Sequence, residues 1–354
     1  MNEVLLPGST VGILGGGQLG RMLSLAAARL GLKCHIYEDA EAPCAAQVAD
    51  AFTRGAYDDE AALTAFANSV DVVTYEFESV DLRAVDILTP RVPVRPGRRA
   101  LEVSQDRVAE KDFLTGLGLR TAPYAAADTE AQLQAAVAAI GTPSILKTRR
   151  FGYDGKGQTR LKDPAETAQA WEAIGGQPAV LEGVVPFERE ISVIATRALN
   201  GAVVCFDPGE NAHENGILRR TEVPARITPA LAQDAVLLAG RILNALDYVG
   251  VIGVELFVAP DGLVVNEIAP RVHNSGHWTQ NACLTDQFEM HIRAICGWPL
   301  GDGQRHADAE MVNLLGSEAD EAVSAADGAV HLYGKGEARP GRKMGHINRI
   351  RPRA

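Results

Sequence analysis

The glycine turn near the start of the chain, VGILGGGQLGRM, constrains the fold more than any other stretch. An apolar strand runs into the spacing Gly15-x-Gly17-x-x-Gly20, and a helix is expected to begin near Gln18 and Leu19. Glycines permit backbone angles that other residues resist, and the unpaired N–H groups at a helix start attract anions. The turn therefore predicts a strand, turn and helix with a seat for a phosphate.

Two interpretations of this turn are open at this point. A second β-like stretch, Lys33 to Tyr37, ends in Glu38, 18 residues past Gly20. A nicotinamide-binding fold places the acid that binds a ribose hydroxyl at about this distance, so the spacing favours a dehydrogenase. The alternative is that the glycines only let a helix pack close to a sheet.

Composition narrows the class of protein. With 354 residues, 46% of them hydrophobic, the chain is long enough for two or three domains. No apolar run approaches the roughly 18 residues of a membrane span, and no signal peptide is recognisable, so we expect a cytoplasmic protein that binds no membrane. The five cysteines form no CxxC pair and fit a reducing compartment. The net charge of -11 disfavours nucleic-acid binding.

The order of strands and helices predicts three domains. Alternating elements from Val11 to about Leu101 indicate an α/β domain with a doubly wound parallel sheet, and the basic, proline-bearing stretch 90–99 indicates a linker. A helix capped by Ser104 is expected to follow and to stop at Gly116. The end of the chain indicates a small accessory domain or a tail folded back on the rest. We expect domains at 1–103, 104–300 (in two parts, about 104–180 and 181–300) and 301–354.

A second glycine-rich loop, FGYDGKGQ at 151–158, follows an apolar strand that ends in Lys147. The N–H groups of such a loop can close over a polyphosphate, while a lysine at a strand end supplies a positive charge. An ordinary hairpin turn with a solvated lysine is the alternative. A hydride-transfer enzyme has no use for a second phosphate loop here.

The segment from Val251 to Ile268 predicts a hairpin that turns at residues 260–262 and places Glu255 opposite Glu267. Two facing carboxylates repel each other unless a divalent cation lies between them, and oxygen ligands shared with phosphates are typical of magnesium. In regular pairing Asn266 points to the other face, so it reaches such a site only at a bulge or twist. The alternative, two solvated glutamates, fits poorly with the neighbouring Val and Ile residues.

The next segment, APRVHNSGHWTQ, brings Arg271, His273 and Asn274 together as donors able to hold a small oxyanion. A zinc site from His273 and His277 is the rival, but no Glu follows His273 as in HExxH, and Gly276 weakens a helix. Near the C-terminus, the basic residues of KGEARPGRKMGH indicate either a recessed phosphate site or a solvated tail.

Six segments, in this order and spanning nearly the whole chain, carry a family resemblance: GGGQLG, YEFE, RFGYDGKGQ, ENAHENGIL, NEIAPRVHNSGHWTQ and GRKMGH. On these segments the chain resembles the ATP-grasp superfamily and, within it, the N5-carboxyaminoimidazole ribonucleotide synthase family. The resemblance implies an ATP-grasp fold, α+β in the grasp part, between a Rossmann-like N-terminal domain and a small C-terminal domain. It also implies a homodimer that carboxylates aminoimidazole ribonucleotide with bicarbonate through carboxyphosphate, using ATP and magnesium.

The resemblance further implies residue roles. The expected ATP contacts are Arg107, Lys147, the loop residues Gly152, Tyr153, Asp154, Gly155, Lys156, Gly157 and Gln158, an edge strand Glu182, Gly183, Val184 and Val185 for adenine, Glu190 for the ribose, His213, Asn266 and Glu267. Magnesium would be held by Glu255 and Glu267, and bicarbonate by Arg271, His273 and Asn274. The expected ribonucleotide contacts are Gln18, Leu19, Glu76, Tyr153, Asp154 and Arg271, with the phosphate at Lys335 and Arg342.

On this interpretation the first glycine turn borders the ribonucleotide, and Glu38 is a structural remnant. One departure is that many members carry Tyr-Pro before the ENxH segment, where this chain has Phe206-Asp207-Pro208, which affects the expected loop shape. The related formate-dependent glycinamide ribonucleotide transformylase is the closest rival, although its segment after the metal glutamate differs from RVHNSGHWTQ. A nicotinamide-dependent dehydrogenase and a non-catalytic nucleotide-binding regulator are the alternatives from other classes.

Overall fold

The N-terminal part of the chain is built on a four-stranded sheet in the order β3-β2-β1-β4. The computed structural model describes residues 4–152, 155–325 and 327–353. The elements of this first part are β1 (Thr10–Leu14), α1 (Gln18–Arg29), β2 (Lys33–Glu38), β3 (Ala51–Arg54), α2 (Glu60–Ala67), β4 (Val72–Tyr75) and α3 (Leu82–Leu88). All three strand pairs are parallel, which confirms the predicted doubly wound parallel sheet.

The stretch 90–99 is not the simple linker that its prolines predicted. Val94 forms a parallel bridge with Val73 of β4, and helix α4 (Arg98–Ser104) begins within the stretch. The expected Ser104 cap was also wrong, because Ser104 ends α4 instead of starting a helix. The cap of the next helix, α5 (Arg107–Gly116), is Asp106, whose carboxylate accepts hydrogen bonds from the N–H groups of the first helical turn.

A second sheet has four antiparallel strands in the order β5-β8-β6-β7. Its elements are β5 (Tyr124–Ala127), α6 (Glu130–Ile140), β6 (Ser144–Thr148), β7 (Gln158–Leu161), α7 (Thr167–Ala173) and β8 (Ala179–Gly183). Glu182 therefore lies on an interior strand, since β8 pairs with both β5 and β6. The expected edge strand from Glu182 to Val185 was wrong, and Val184 and Val185 follow the strand instead.

The third sheet has nine strands within the described residues, in the order β14-β13-β9-β11-β12-β15-β17-β16, with β10 paired to β9. Its elements, with the helices between them, are β9 (Arg189–Arg197), β10 (Val203–Cys205), β11 (Gly209–Glu214), β12 (Ile217–Val223), α8 (Pro229–Ala245), β13 (Gly250–Ala259), β14 (Gly262–Ala269), α9 (Thr279–Ala282), α10 (Gln287–Ile295), β15 (Ala307–Leu315), α11 (Glu318–Ala325), β16 (Ala329–Leu332) and β17 (Lys343–Pro352).

The C-terminal segment extends this third sheet, because β15 pairs antiparallel with β12. One apolar core joins the N-terminal part of the chain to the third sheet, and it includes Ile13 of β1, Phe288 of α10, Met311 of β15 and Tyr333. The N-terminal sheet is thereby packed against the third sheet, which includes the C-terminal strands β15, β16 and β17. The domain boundaries given above remain predictions. In the described part of the chain, no helix is long and apolar enough to cross a membrane.

Candidate active site

The N–H groups of the first glycine turn are bound by side chains of the protein itself. The Glu76 carboxylate accepts hydrogen bonds from the N–H groups of Gly17 and Gly20, the second at 2.6 Å. Glu38 accepts one from Gly16 at 2.9 Å. The close approach favours glycine, because a Cβ on Gly17 would lie 2.6 Å from a Glu76 oxygen and would force this carboxylate to move. A dinucleotide pyrophosphate would have to displace both carboxylates, so the turn positions Glu76 and not a cofactor.

The C-terminal segment brings Lys335 to this turn. The Gly334 carbonyl accepts a hydrogen bond from Gln47 Nε2 at 2.8 Å. Gln47 ends the short helix Cys44–Gln47, which packs on α1. Lys335 Nζ donates to the Lys343 carbonyl at 2.8 Å. Burial lowers the pKa of Lys335 to about 8, while the neighbouring Glu76 carboxylate acts in the opposite direction. The structure therefore places a half-buried cation, Lys335, and a buried carboxylate, Glu76, beside the first glycine turn.

The remaining predicted ribonucleotide residues lie at the same end of the molecule or outside the described chain. Gln18 and Leu19 begin α1, directly after the glycine turn, with Leu19 buried and Gln18 half-buried. Arg342 donates to a loop carbonyl at 2.8 Å, and its charge contributes to the lowered pKa of Lys335. Two further predicted contacts lie outside the described residues: Tyr153 and Asp154.

Glu255 and Glu267 face each other across the β13 and β14 hairpin, as predicted. The turn begins with the pair Ala259 and Gly262, a register that by itself would place Glu255 opposite Asn266. A bulge next to the pair shifts the register by one residue, so that Asn266 is the extra residue and Glu267 faces Glu255. The bulge is therefore what brings the two carboxylates together.

Each carboxylate of this pair has its own cationic or histidine partner. Arg107 Nη1 donates to Glu267 Oε2 at 3.0 Å, and His273 Nε2 lies 3.1 Å from Glu255 Oε1. Burial by itself would raise the pKa of Glu267, but the charges of Arg107 and Lys147 hold it well below its ordinary value. Glu267 is thus a carboxylate at neutral pH, which is the form that binds a hard cation.

The chemistry of the pair fits magnesium better than a metal held by protein alone. No group of three or more His, Cys, Asp or Glu side chains within the described ranges is arranged to hold a metal ion. Two carboxylates on neighbouring strands fit a magnesium ion that takes its other oxygen ligands from phosphates and water. His277 is not part of a metal site, because it is buried with its Nδ1 3.0 Å from Gln287 Nε2.

A buried acid lies directly behind this hairpin. Glu110 of α5 accepts a hydrogen bond from the Ile268 N–H at 2.7 Å, next to Glu267 in the chain. Burial raises the pKa of Glu110 to about 8, and the negative charge of Glu267 adds to the effect. Sequence reasoning did not identify Glu110, since an acid on an amphipathic helix is usually solvated.

Lys147 and a second lysine share one buried carboxylate. Glu182 on β8 lies 2.9 Å from Lys147 Nζ and 3.3 Å from Lys111 Nζ. Burial would raise the pKa of Glu182, but the two lysines lower it below its ordinary value. Glu182 therefore holds Lys147 at the end of β6, where its charge also acts on Glu267. Lys111 was missed because nothing in its helical pattern separates it from a surface lysine.

The predicted phosphate loop joins β6 to β7 and is tied to the carboxylate pair through Arg107. Arg107 Nη2 donates to the Gly152 carbonyl at 3.2 Å, while its Nη1 binds Glu267. The Thr148 N–H donates to the Gly157 carbonyl at 2.8 Å, and Gly157 has a positive φ of 68° that favours glycine. The stretch from Gly155 to Gln158 is exposed to solvent.

Two of the predicted ATP contacts, Glu190 for the ribose and His213, form a second pair near Glu255. Glu190 on β9 and His213 on β11 are joined by a 2.5 Å contact between Oε2 and Nδ1. Burial by itself lowers the pKa of His213, but Glu190 and Glu255 raise it above its ordinary value. The N–H groups of Gly183 and Val184 donate to carbonyls within the protein.

Arg271 follows β14 and is held by a carboxylate from the N-terminal sheet. Its Nε and Nη2 donate to the two oxygens of Glu78, the second at 3.1 Å, and its Nη1 donates to the Val272 carbonyl at 3.2 Å. The charges of Glu267 and Glu255 also act on Arg271. The sequence analysis assigned a role only to Glu76, the first acid of YEFE. The second acid, Glu78, could have indicated a partner for Arg271.

His273 is oriented on both sides of its ring. Its Nδ1 lies 2.8 Å from the Ser275 hydroxyl, which accepts a hydrogen bond from the Ser192 hydroxyl at 2.7 Å, and its Nε2 faces Glu255. Gln287 binds the His273 backbone at both its N–H and its carbonyl. The ring is therefore fixed with one nitrogen directed at the carboxylate pair.

The Asn274 side chain contacts β15, unlike the side chains of Arg271 and His273. Its amide forms a reciprocal pair of hydrogen bonds, at 2.9 and 2.8 Å, with the amide of Asn313 on β15. Asn313 is fully buried and also donates to the Leu218 carbonyl. The Asn274 side chain thus anchors the loop to β15 of the third sheet, whereas Arg271 and His273 interact with the carboxylate pair.

Family models match three consecutive parts of the chain. The ATP-grasp domain matches residues 112–288, the ribonucleotide synthetase preATP-grasp domain matches residues 8–105, and the phosphoribosylaminoimidazole carboxylase C-terminal domain matches residues 309–354. Together the three matches account for nearly the whole chain.

Two relatives that match over nearly the whole chain carry the same name. The N5-carboxyaminoimidazole ribonucleotide synthase of Brucella melitensis is 53% identical over 99% of this chain and 98% of its own length. The Bacillus subtilis protein of the same name is 40% identical over 98% of this chain and 92% of its own length.

Solved structures agree with these relatives. An ADP complex of an N5-carboxyaminoimidazole ribonucleotide synthetase superimposes with a TM-score of 0.96 at 43% identity, covering 99% of this chain and 94% of that one. The Aspergillus clavatus enzyme in complex with ADP and 5-aminoimidazole ribonucleotide superimposes with a TM-score of 0.92 at 32% identity, covering 98% and 95%. The chain therefore belongs to the N5-carboxyaminoimidazole ribonucleotide synthase family and has the ATP-grasp fold.

Proposed function

We propose that this chain carboxylates 5-aminoimidazole ribonucleotide. An oxygen of bicarbonate takes the γ-phosphoryl group of ATP, giving carboxyphosphate and ADP. The exocyclic amine then forms a bond to the one-carbon unit and loses a proton, while the bond from carbon to the phosphate oxygen breaks. The products are N5-carboxyaminoimidazole ribonucleotide, ADP and phosphate, so the chain is an ATP-dependent ligase that forms a carbon–nitrogen bond.

The observation that carries this proposal is the juxtaposition at the β13 and β14 hairpin. Glu255 and Glu267 face each other there, and Arg271 and His273 follow within the next few residues. A site for a metal-bound triphosphate thus lies beside donors for a small oxyanion. Phosphoryl transfer to bicarbonate needs these two sites in contact, because it depends mainly on positioning and charge stabilisation.

Each group has a role in the phosphoryl transfer. Glu255 and Glu267 would hold magnesium, which when bound neutralises charge on the phosphate oxygens. Lys147 supplies a positive charge to those oxygens, and Glu182 keeps its ammonium in place. Arg107 ties the glycine loop to Glu267, so loop closure and metal binding share one side chain.

The adenosine and ribonucleotide contacts are proposals of the same kind. Glu190 would meet the ATP ribose, His213 would be a further ATP contact, and the chain around Glu182 to Val185 would meet adenine. The ribonucleotide would lie between the first glycine turn and Lys335, with Gln18, Leu19 and Glu76 against it and Arg342 near its phosphate. The placement of Lys335 beside Glu76 supports this arrangement, since the two are distant in sequence.

Release of ADP by the purified protein tests the proposed function. We expect ADP to form only when ATP, magnesium, aminoimidazole ribonucleotide and bicarbonate are all present. The same assay with glycinamide ribonucleotide and formate in a bicarbonate-free buffer separates the transformylase alternative, because formate dependence would reject carboxylation. Tight ATP binding without turnover in any substrate mixture would indicate a regulator.

We also propose that the chain acts as a homodimer in the cytoplasm, on small molecules and without nucleic acid or membrane. The family resemblance supports the dimer, and the net charge of -11 supports the exclusion of nucleic acid. Sedimentation equilibrium would give twice the monomer mass of 37.6 kDa for a dimer, whereas the monomer mass would contradict it.

Replacing Lys335 with Ala is expected to raise the KM for the ribonucleotide by about 10-fold or more and to change the KM for ATP little, since one charge-assisted hydrogen bond is worth about 1.5–3 kcal/mol. Steady-state kinetics with each substrate varied in turn measures both constants. Arg339→Ala is the matched control, because this exposed side chain of the same loop forms its ion pair, within the described residues, with the exposed Glu337. An equal rise in both KM values would count against a phosphate site at Lys335.

The same lysine predicts a pH dependence. The Lys335 ammonium is charged below its pKa of about 8 and neutral above it. The ribonucleotide phosphate is fully ionised in this range, since its second pKa is about 6. The KM for the ribonucleotide should therefore rise as the pH increases through about 8, towards the value of the Lys335→Ala variant. Lys335→Arg keeps its charge and should give a flat profile, and a wild-type profile that is equally flat would contradict the assignment.

A further inference from the structure

The contact between Arg271 and Glu78 joins two distant parts of the chain at the reaction site. Glu78 follows β4 of the N-terminal sheet, and Arg271 follows β14, 193 residues later. Both side chains are largely shielded from solvent, with exposed fractions of 34% for Glu78 and 17% for Arg271. A planar guanidinium held at two nitrogens by one carboxylate has a fixed orientation as well as a fixed position.

The hydrogen bonds of Arg271 show which of its N–H donors remain available in this orientation. A guanidinium has five N–H donors. Glu78 takes one on Nε and one on Nη2, and the Val272 carbonyl takes one on Nη1. Among the contacts of the described residues, one N–H on each terminal nitrogen is left for a ligand. Two such donors in one plane match two oxygens of a carboxylate or phosphate.

Glu78 also competes with Glu255 and Glu267 for the Arg271 guanidinium. The negative charges of Glu267 and Glu255 attract the Arg271 guanidinium, whereas the charge of Glu267 repels the Glu78 carboxylate. Without Glu78, the nearest strong anions for the guanidinium would be the two carboxylates that we assign to magnesium. A guanidinium bound to them would lose its place at the oxyanion and would oppose cation binding.

The backbone around Glu78 is anchored independently of Arg271. Gln105 Nε2 donates to the Glu78 carbonyl at 2.9 Å and to the Val80 carbonyl at 2.6 Å. Two residues before Glu78, the Glu76 carboxylate is bound to the glycine turn at Gly17 and Gly20. Glu78 is therefore presented to Arg271 from a fixed segment, as a group that orients another must be.

We propose that Glu78 is a positioning residue that holds Arg271 in the orientation required to bind the one-carbon oxyanion and away from the metal carboxylates. This proposal rests on the proposed function of the site. Glu78 touches neither ATP nor the reacting atoms on this account, and it acts only through Arg271. The N-terminal sheet thereby contributes a residue to the carboxylation step as well as to ribonucleotide binding.

A double-mutant cycle of Glu78→Gln and Arg271→Ala tests the proposal. Glu78→Gln alone is expected to lower kcat by about 10- to 100-fold, the usual cost of removing a group that orients a catalytic ligand. The KM for ATP should stay within about 3-fold of wild type, because Glu78 does not bind the nucleotide on this account. In the Arg271→Ala background, Glu78→Gln should have almost no further effect on kcat, since two residues that act as one unit are not additive.

The controls separate this proposal from a structural role and from the proposed function. Glu102→Gln, on the exposed face of α4 where Glu102 pairs with Arg98, should leave kcat and the melting temperature unchanged. A Glu78→Gln variant with wild-type kcat, or a full additional loss in the Arg271→Ala background, would overturn the proposal. If Glu78→Gln does not fold, Glu78→Asp carries the same cycle with the charge retained. Failure of the proposed function would be evident earlier, as wild-type protein without ribonucleotide-dependent and bicarbonate-dependent ADP release.

Discussion

Glu267→Gln is expected to lower magnesium-dependent kcat by at least about 100-fold, the scale seen when a group that stabilises transition-state charge is removed. Glu267 is paired with Glu255 across the hairpin and is held ionised by Arg107 and Lys147. The amide has nearly the same shape as the acid but lacks the negative charge that a hard cation requires. The loss should therefore appear in turnover and in the magnesium concentration needed for half-maximal rate.

Steady-state kinetics across a magnesium titration checks this result, with circular dichroism and thermal unfolding to confirm that the variant is folded. Asp261→Asn is the matched control, because it makes the same acid-to-amide change at the exposed turn of the same hairpin. Asp261 forms an exposed ion pair with Arg120, so its replacement should leave kcat within about 2-fold, as for surface ion pairs in general. Normal magnesium-dependent activity of Glu267→Gln would contradict the metal role.

Arg271→Lys is expected to lower kcat by about 100-fold or more while the KM for ATP changes little. A lysine keeps the charge but offers a single ammonium, so it cannot bind Glu78 at two nitrogens and still present two donors to an oxyanion. The loss would show that the planar fork, and not only the positive charge, is needed at this position. Measured kcat values at saturating ATP, bicarbonate and ribonucleotide give the comparison.

The matched control for this prediction is Arg120→Lys, which changes the same residue type at an exposed position before β5 that contacts Asp261 of the hairpin turn. Its ion pair with Asp261 is solvent-exposed and should contribute little to stability or activity. If Arg271→Lys retained most of the wild-type kcat, then a point charge would suffice, and the assignment of a two-donor contact with the oxyanion would be wrong.

The sequence was sufficient where chemistry depends on local spacing. The glycine turn, the lysine at the end of β6 and the facing acids of the hairpin are each set by residues within one strand, turn or hairpin. The facing pair was predicted by counting outwards from Asp261, and the structure shows that this count holds because of the bulge at Asn266. A regular hairpin closed by Ala259 and Gly262 would have paired Glu255 with Asn266 instead.

The sequence was insufficient where a residue acts through a distant partner. Glu78 and Arg271 are 193 residues apart, and the Asn274 amide is paired with Asn313 from the C-terminal strands. No local pattern predicts these contacts, because they depend on how the three sheets pack. The interior position of Glu182 has the same origin, since strand order within a sheet is a property of the whole fold.

The prediction that Ser104 caps a helix was wrong for a different reason. Ser104 and Asp106 are both good cap residues, and both precede a helical pattern in the sequence. The structure ends α4 at Ser104 and uses Asp106, whose carboxylate also binds Arg149 near the phosphate loop. Asp106 thus also forms a tertiary ion pair, which the local pattern does not contain.

The fate of a labelled bicarbonate oxygen tests the central claim most directly. With heavy oxygen in bicarbonate, transfer of the γ-phosphoryl group to bicarbonate and later cleavage between carbon and oxygen must leave one labelled oxygen in the phosphate product. We predict this transfer in the wild-type reaction, dependent on the ribonucleotide, as measured by mass spectrometry of the released phosphate. Phosphate that carries oxygen only from ATP and water would contradict a carboxyphosphate formed between Glu267 and Arg271.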